Sequence, residues 1–432
     1  MSSLTLPFEA LRQSARERFE GLPWPAKTDE EWRRTDPAKI PRVAVDPQPV
    51  SPALTVGWEA VPPEWIRSGV ILTDLKTALK QFPELIEQYL FQSGTPEGLP
   101  KFVALHEASW DNGLFCYVPE GARLEQPLKG WIEIKVGGAA VFPHLLVVLG
   151  RGAEATLIDE RRSGGNGAGP SFSDEMVEIF VKEGATLRYI HLQRWDPSVT
   201  ELFTQRALVE RDGQFLNVTV GLGGRLTKAN IETVLQGPDS RAELLGVLFG
   251  SDEQHFDYHT LQDHRAVHTM SDLLYKSALA DRAEAIYTGL IRIRKEAQKS
   301  DAYQANRNLL LSQGATADSI PMLEIEADDV RCTHGVAVGP VDEEQAFYLK
   351  SRGLSEAEAE RLIVEGFYEQ DLWPWDVAAG ILLVQEAGGR ATNFDGTPVV
   401  LEAAKLVASN GRIHAQMLRV IQGVLRTDRG TR

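Results

Sequence analysis

Gly184-Ala-Thr-Leu-Arg-Tyr-Ile-His-Leu192 opens on a turn residue, passes a small residue and then runs into a strand-like stretch. The same opening recurs at Gly152-Ala-Glu-Ala and, more loosely, at Gly213-Gln-Phe-Leu. It returns at Ser240-Arg-Ala-Glu-Leu, Asp281-Arg-Ala-Glu-Ala and Gly314-Ala-Thr-Ala, with irregular spacings of about 26–42 residues. That is the scale at which solenoid coils repeat. Short runs such as Trp131-Ile-Glu-Ile-Lys-Val136 and His144-Leu-Leu-Val-Val148 are bounded by Gly, Asp or Pro, which is strand and turn chemistry. Few helical patterns interrupt residues 100–330, so a βαβ sheet is not expected. The reading is mainly β, a parallel β-helix, with a large β-sandwich as the alternative.

Outward from this core the texture changes. Phe8, Leu11, Ala15 and Phe19 recur at helical spacing. Thr28-Asp-Glu-Glu31 before Trp32 has the form of a capping box. Pro37 to Pro63 reads as linker and irregular structure. Residues 71–92 read as helix broken at Pro83. Beyond Cys332, Asp342 to Leu349 and Ser355 to Gly366 read as helices. The expected organisation is a helical and irregular region over 1–99, a core over 100–335, a helical region over 336–367 and a separate α/β fragment over 368–432.

Lysine plus arginine number 45 against 61 aspartates and glutamates, a net charge of −16. An extended nucleic-acid groove needs a basic surface, and so does adhesion to anionic membrane, so neither is expected. No run of eighteen apolar residues suggests a membrane span, and Met1 to Glu20 lacks signal-peptide character. A cytoplasmic protein fits. Cys116 and Cys332 are the two cysteines, too few for a self-contained four-cysteine zinc or iron–sulfur site.

Four words carry a specific resemblance: Glu31-Trp-Arg-Arg-Thr-Asp36, Asp272-Leu-Leu-Tyr-Lys276, Gln298-Lys-Ser-Asp-Ala-Tyr-Gln304 and Pro321-Met-Leu-Glu-Ile-Glu-Ala-Asp-Asp-Val330. The last leads into Arg331-Cys-Thr-His-Gly335 and Phe347-Tyr-Leu-Lys-Ser-Arg-Gly353. In order and spacing, about residues 1–367 resemble the SufB/SufD family of iron–sulfur cluster assembly scaffolds, and the Cys-x-His-Gly form resembles SufD. The resemblance implies a right-handed parallel β-helix with helical regions at its ends. It also implies a SufB-like partner, a SufC-like ATPase, and a nascent cluster built at the subunit interface by a chain that is not itself an enzyme. A homodimer is expected when the chain is alone. Nothing in the residues identifies a flavin site.

Trp373-Pro-Trp-Asp-Val-Ala-Ala-Gly380, Phe394-Asp-Gly-Thr-Pro398 and Ala408-Ser-Asn-Gly411 are similar to the C-terminal part of inositol-monophosphatase-like enzymes. Asp376 matches a metal-ligand aspartate of that motif. The Asp-Pro-x-Asp-Gly word that such enzymes also need is missing, so phosphatase activity, the alternative function, is not expected. The sheet that would cover Val377-Ala-Ala-Gly-Ile-Leu-Leu-Val384 is expected to be absent, which would leave the tail loosely docked.

Cys332 and His334 are the sharpest site candidates. Thiolate and imidazole suit thiophilic metals, and residues two apart on a strand face one side. Spacing alone favours a buried thiol beside a hydrogen-bonded histidine; the resemblance favours His334 as a ligand shared with SufB. SufB relatives carry a cysteine in the segment matching residues 303–312, where this chain has Asn306 and Asn308. His255, Asp257 and His259 alternate along one strand face at metal-ligand spacing, near Asp263, His264 and His268. The competing reading is a polar ladder on a solenoid face. Cys116, inside Leu114-Phe-Cys-Tyr-Val118, is expected to be buried and inert.

Overall fold

In the computed structural model, described over residues 5–42, 53–110, 112–135, 137–164 and 169–341 and in short stretches beyond, the repeat forms a mainly β solenoid of about eight turns. Met1–Val338 is one compact unit and Gly339–Arg432 a second.

Each regular turn gives one strand to each of two sheets, one of nine strands and one of ten. Neighbours are parallel and in simple register: Thr200 pairs with Leu226 and Glu284 with Thr316, so a turn takes 26 to 32 residues. Glycine and aspartate turn the corner. Gly152, Gly184, Asp212 and Asp239 hold φ between 54° and 65°, a left-handed region that most residues avoid. Each is followed by a small residue whose N–H closes the turn, as Ala153 does onto Gly150 O and Ala185 onto Lys182 O. Ala153, Ala185 and Ser240 are buried at the corner. The Asp281 and Gly314 echoes belong to the opposite corner, where Ala283 and Ala315 close onto Ala280 O and Ser312 O. Two corners share one vocabulary, which is why the spacing looked irregular.

The strand period then fills the interior. Leu187, Tyr189, His191 and Gln193 alternate inward from Thr186–Arg194. The nine-stranded sheet keeps this alternation because its other face is open. The ten-stranded sheet does not: Ser171–Val181 and Leu226–Leu235 are buried at every residue. Its outer face is covered by N-terminal elements. Leu75, Ile86, Tyr89 and Trp110 pack on Phe115, Leu146, Val148 and Phe180. Trp32, Ile40, Phe102 and Leu105 pack on Phe142, Phe172, Leu202 and Leu226. Burying a side chain of this size stabilises by ~1.5–3 kcal/mol.

The N-terminal region differs from expectation at four points. Leu54–Trp58, read as linker, is a strand pairing antiparallel with Leu128–Ile134. Ile71–Asp74, read as helix, is a strand pairing antiparallel with Gly113–Val118; the helices follow at Leu75–Gln81 and Pro83–Tyr89. Pro100–Ser109 is a helix inside the stretch read as β. Buried on every side, it shows no amphipathic period. The capping box is not formed either: Glu30–Trp32 is a single 3₁₀ turn, and Asp29 accepts instead from Ala26 N–H at 2.9 Å. The helix expected around Phe8 is Thr5–Gly21.

The second unit holds its own antiparallel sheet, Phe367–Leu372, Ala404–Ser409 and Arg390–Asn393. Phe394, Val407 and Met417 bury one another beside it. The tail, read as an α/β fragment, holds this small sheet. Asp376, Val377 to Val384 and most of the expected helices over 342–366 lie outside the described residues.

Candidate functional site

Both sheets stop at the same end of the solenoid. Thr316–Ile325 is the edge of the ten-stranded sheet and Arg331–Pro340 the edge of the nine-stranded one. Pro321, which has no N–H to donate, is tolerated on such an edge. Apolar side chains stand open here, Ile325 at 44% and Val336 at 46% exposure, with Met322, Leu323 and Val338 beside them.

Cys332 and His334 lie on this last strand. Cys332 is half-buried and packs against the cluster of Ile291, Ile293, Ala297, Ala302 and Ala327. Burial, with the charge of Asp301 adding to it, pushes its thiol pKa up. His334 is exposed two residues further on. Beside it, a Cβ at Gly335 would meet the Tyr303 hydroxyl at 3.2 Å. The strand thus offers an imidazole to the outside and keeps a protonated thiol against an apolar wall. Two such donors do not complete a cluster. Asn306 and Asn308 give no help: Asn308 Nδ2 donates to Asn306 Oδ1 at 2.6 Å, Asn306 Nδ2 donates to Tyr275 O at 3.2 Å, and both residues are buried.

His255, Asp257 and His259 share one face of His255–His264, as the alternation implies, yet their donor atoms turn to protein partners. Thr35 Oγ1 lies 2.7 Å from His255 Nε2 and donates to Asp257 Oδ2 at 2.5 Å. His255 Nδ1 meets Glu284 at 2.8 Å. The buried Lys228 ammonium reaches Asp257 Oδ2 at 2.7 Å, Glu31 O at 2.8 Å and His259 Nε2 at 3.1 Å, and lies over the Trp32 ring. Burial works against the Asp257 charge, but Lys228 and His259 hold its carboxyl well below the usual range. Among the described residues no three His, Cys, Asp or Glu side chains converge as a metal site. The lysine ammonium sits beside the very atoms a cation would need. What the ladder binds is the N-terminal word Glu31 to Asp36, locked across the sheet. Arg34 extends the strap to Asp318 on the edge strand at 3.0 Å.

Lys228 and Thr35 were missed by sequence reasoning. A lone lysine inside Leu226-Thr-Lys-Ala-Asn-Ile231, otherwise an interior strand, was the available signal, since a buried ammonium needs acceptors. His264 donates or accepts locally, to Thr269 at 2.7 Å and Ser271 at 2.8 Å, and burial lowers its pKa to about 4. Asp263 pairs with Arg265 and Arg294, and His268 is exposed in a turn. Cys116 is buried as expected, its pKa raised by desolvation to about 12.

A β-solenoid whose two sheets end, among the described residues, on unpaired strands, with a histidine–cysteine pair on the last of them, is the class of molecule this defines. Comparison with known families is specific. The SUF system FeS cluster assembly SufBD core domain matches residues 132–367, and the SufBD protein N-terminal region matches residues 59–129. The chain belongs to the SufBD family. Relatives include the iron–sulfur cluster assembly SufBD family proteins of Staphylococcus saprophyticus, Staphylococcus haemolyticus and Staphylococcus aureus, each 33% identical over 301 residues, or 70% of this chain. The match spans 64% of those relatives' length. The inositol monophosphatase family matches residues 361–426, overlapping the SufBD core match at residues 361–367. No helix among the described residues is long and apolar enough to cross a membrane.

Proposed function

We propose that this chain is a SufD-type, non-catalytic subunit of a cytoplasmic iron–sulfur cluster assembly complex. The observation that carries the reading is the placement of His334, exposed beside Cys332 on a strand whose outer edge is unpaired among the described residues. A nascent cluster is the cargo. His334 donates one ligand, Cys332 a second only when its half-buried thiol is drawn out, and a SufB-like subunit completes the set. That partner docks by continuing both sheets. Among the described residues, Thr316–Ile325 is the strand of the coils over 260–330 with an unpaired edge, and Arg331–Pro340 supplies the other. Alone, the same edges favour a homodimer. A SufC-like ATPase is the energy-supplying partner, since this sequence has no phosphate-loop signature.

Co-expression with such partners, anaerobic reconstitution and iron and sulfide analysis test the reading. His334→Ala is expected to abolish cluster build-up and leave the heterodimer intact. Wild-type build-up in that variant would refute the ligand role. The phosphatase alternative rests on the short tail match and on Asp376, outside the described residues. A magnesium-dependent phosphate-release assay is expected to give no turnover.

A further inference from the structure

Three interior side chains, Gln205, Asn217 and Thr233, are almost wholly buried. Gln205 Nε2 and Oε1, Asn217 Nδ2 and Oδ1, and Thr233 Oγ1 make no hydrogen bond among the described residues. Most buried polar atoms in folded proteins have partners, so five orphans on three neighbouring strands need a cause.

Register brings them together. Gln205 lies on Val199–Val209, flanked in its sheet by Val177 and Ile231. The chain reverses at Glu210 to Gly213, closed by a 3.0 Å bond, and Asn217 follows on the facing sheet. Phe203 stacks on His191 at 4.4 Å across the interior. Gln205, two residues beyond Phe203 on an oppositely running strand, therefore faces the row in which Tyr189 pairs with Asn217. Thr233 pairs with Ala207, two residues beyond Gln205 on the same face of its strand.

We infer that Gln205, Asn217 and Thr233 enclose an internal water site midway along the solenoid. The chemistry of the set selects the occupant. Two carboxamides and a hydroxyl present both donors and acceptors. A cation would satisfy the oxygens and oppose the NH₂ groups; an anion would do the reverse. Water donates twice and accepts twice, and buried water typically makes about three bonds to otherwise unsatisfied groups. The flanking Val177 and Ile231 cannot compete for it.

The test is a high-resolution crystal structure of the full chain, joined to ¹⁷O magnetic relaxation dispersion in solution. Ordered solvent within hydrogen-bond distance of at least two of the three side chains is expected, and Gln205→Leu/Asn217→Leu should lose at least one long-lived water from the dispersion amplitude. Direct bonding of the three side chains to one another, with no solvent between them, would overturn the inference. So would a folded double variant with the wild-type number of long-lived waters. If the double variant does not fold, the wild-type crystal structure decides alone.

Discussion

Lys228→Met strikes the lock that holds the N-terminal strap. Methionine keeps the stem but removes the ammonium that binds Asp257, Glu31 O and His259. Lys228 and Asp257 are each 1% exposed, so the carboxylate cannot recover by hydration in place. Breaking a buried ion pair by removing one partner costs about 3–5 kcal/mol. The hydroxyl of Thr35 and the ring of His259 still reach Asp257, which places the expected loss toward the lower end of that range. The native state can instead release the strap locally, so the effect should concentrate in Glu30 to Ile40. Hydrogen exchange there should rise by about 10²-fold, each factor of ten being about 1.4 kcal/mol. Lys228→Met/Asp257→Asn, which removes the orphaned charge, should recover part of the protection. The sign with pH is fixed: Asp257 has a depressed native pKa, so its contribution is complete above the ordinary carboxylate pKa of about 4 and is lost as pH falls below it. Unchanged protection of the strap in Lys228→Met at neutral pH would refute the lock.

His264, neutral in the fold with a pKa of about 4, should make stability complete above about pH 6.5 and lower it by about 3 kcal/mol as pH falls toward 4; denaturant titrations of His264→Gln across that window should be flatter. Arg161→Leu leaves the interior carboxylates of Asp159 and Glu175 without their shared cation, and chemical denaturation should show a loss of about 3–5 kcal/mol. In thiol-labelling time courses Cys332 should react slowly and Cys116 only on unfolding, since burial raises both thiols and Cys116 has no exposed path.

The solenoid was legible because its corners are chemically demanding. Gly152, Gly184 and their aspartate counterparts must turn left-handed, and a small residue must follow. The ten-stranded sheet hid more, for its strands are buried on both faces and lose the alternation that marks a half-exposed strand. Pro100–Ser109 was lost for the same reason on a helix. At the site, Cys332 and His334 were visible as a spaced pair, but spacing carries no burial, and it is burial that separates a walled thiol from an open imidazole. The His255 ladder was legible as a polar face, but its partners lie far away in sequence: Thr35 is 220 residues from His255. No local pattern announces a contact of that range.

The most direct test of the cluster-scaffold reading is the iron and acid-labile sulfide bound by the purified assembly of this chain with a SufB-like subunit and a SufC-like ATPase. The wild-type assembly should bind iron and sulfide together, and His334→Ala should bind neither while the subunits remain associated. Equal iron and sulfide in both assemblies would contradict it.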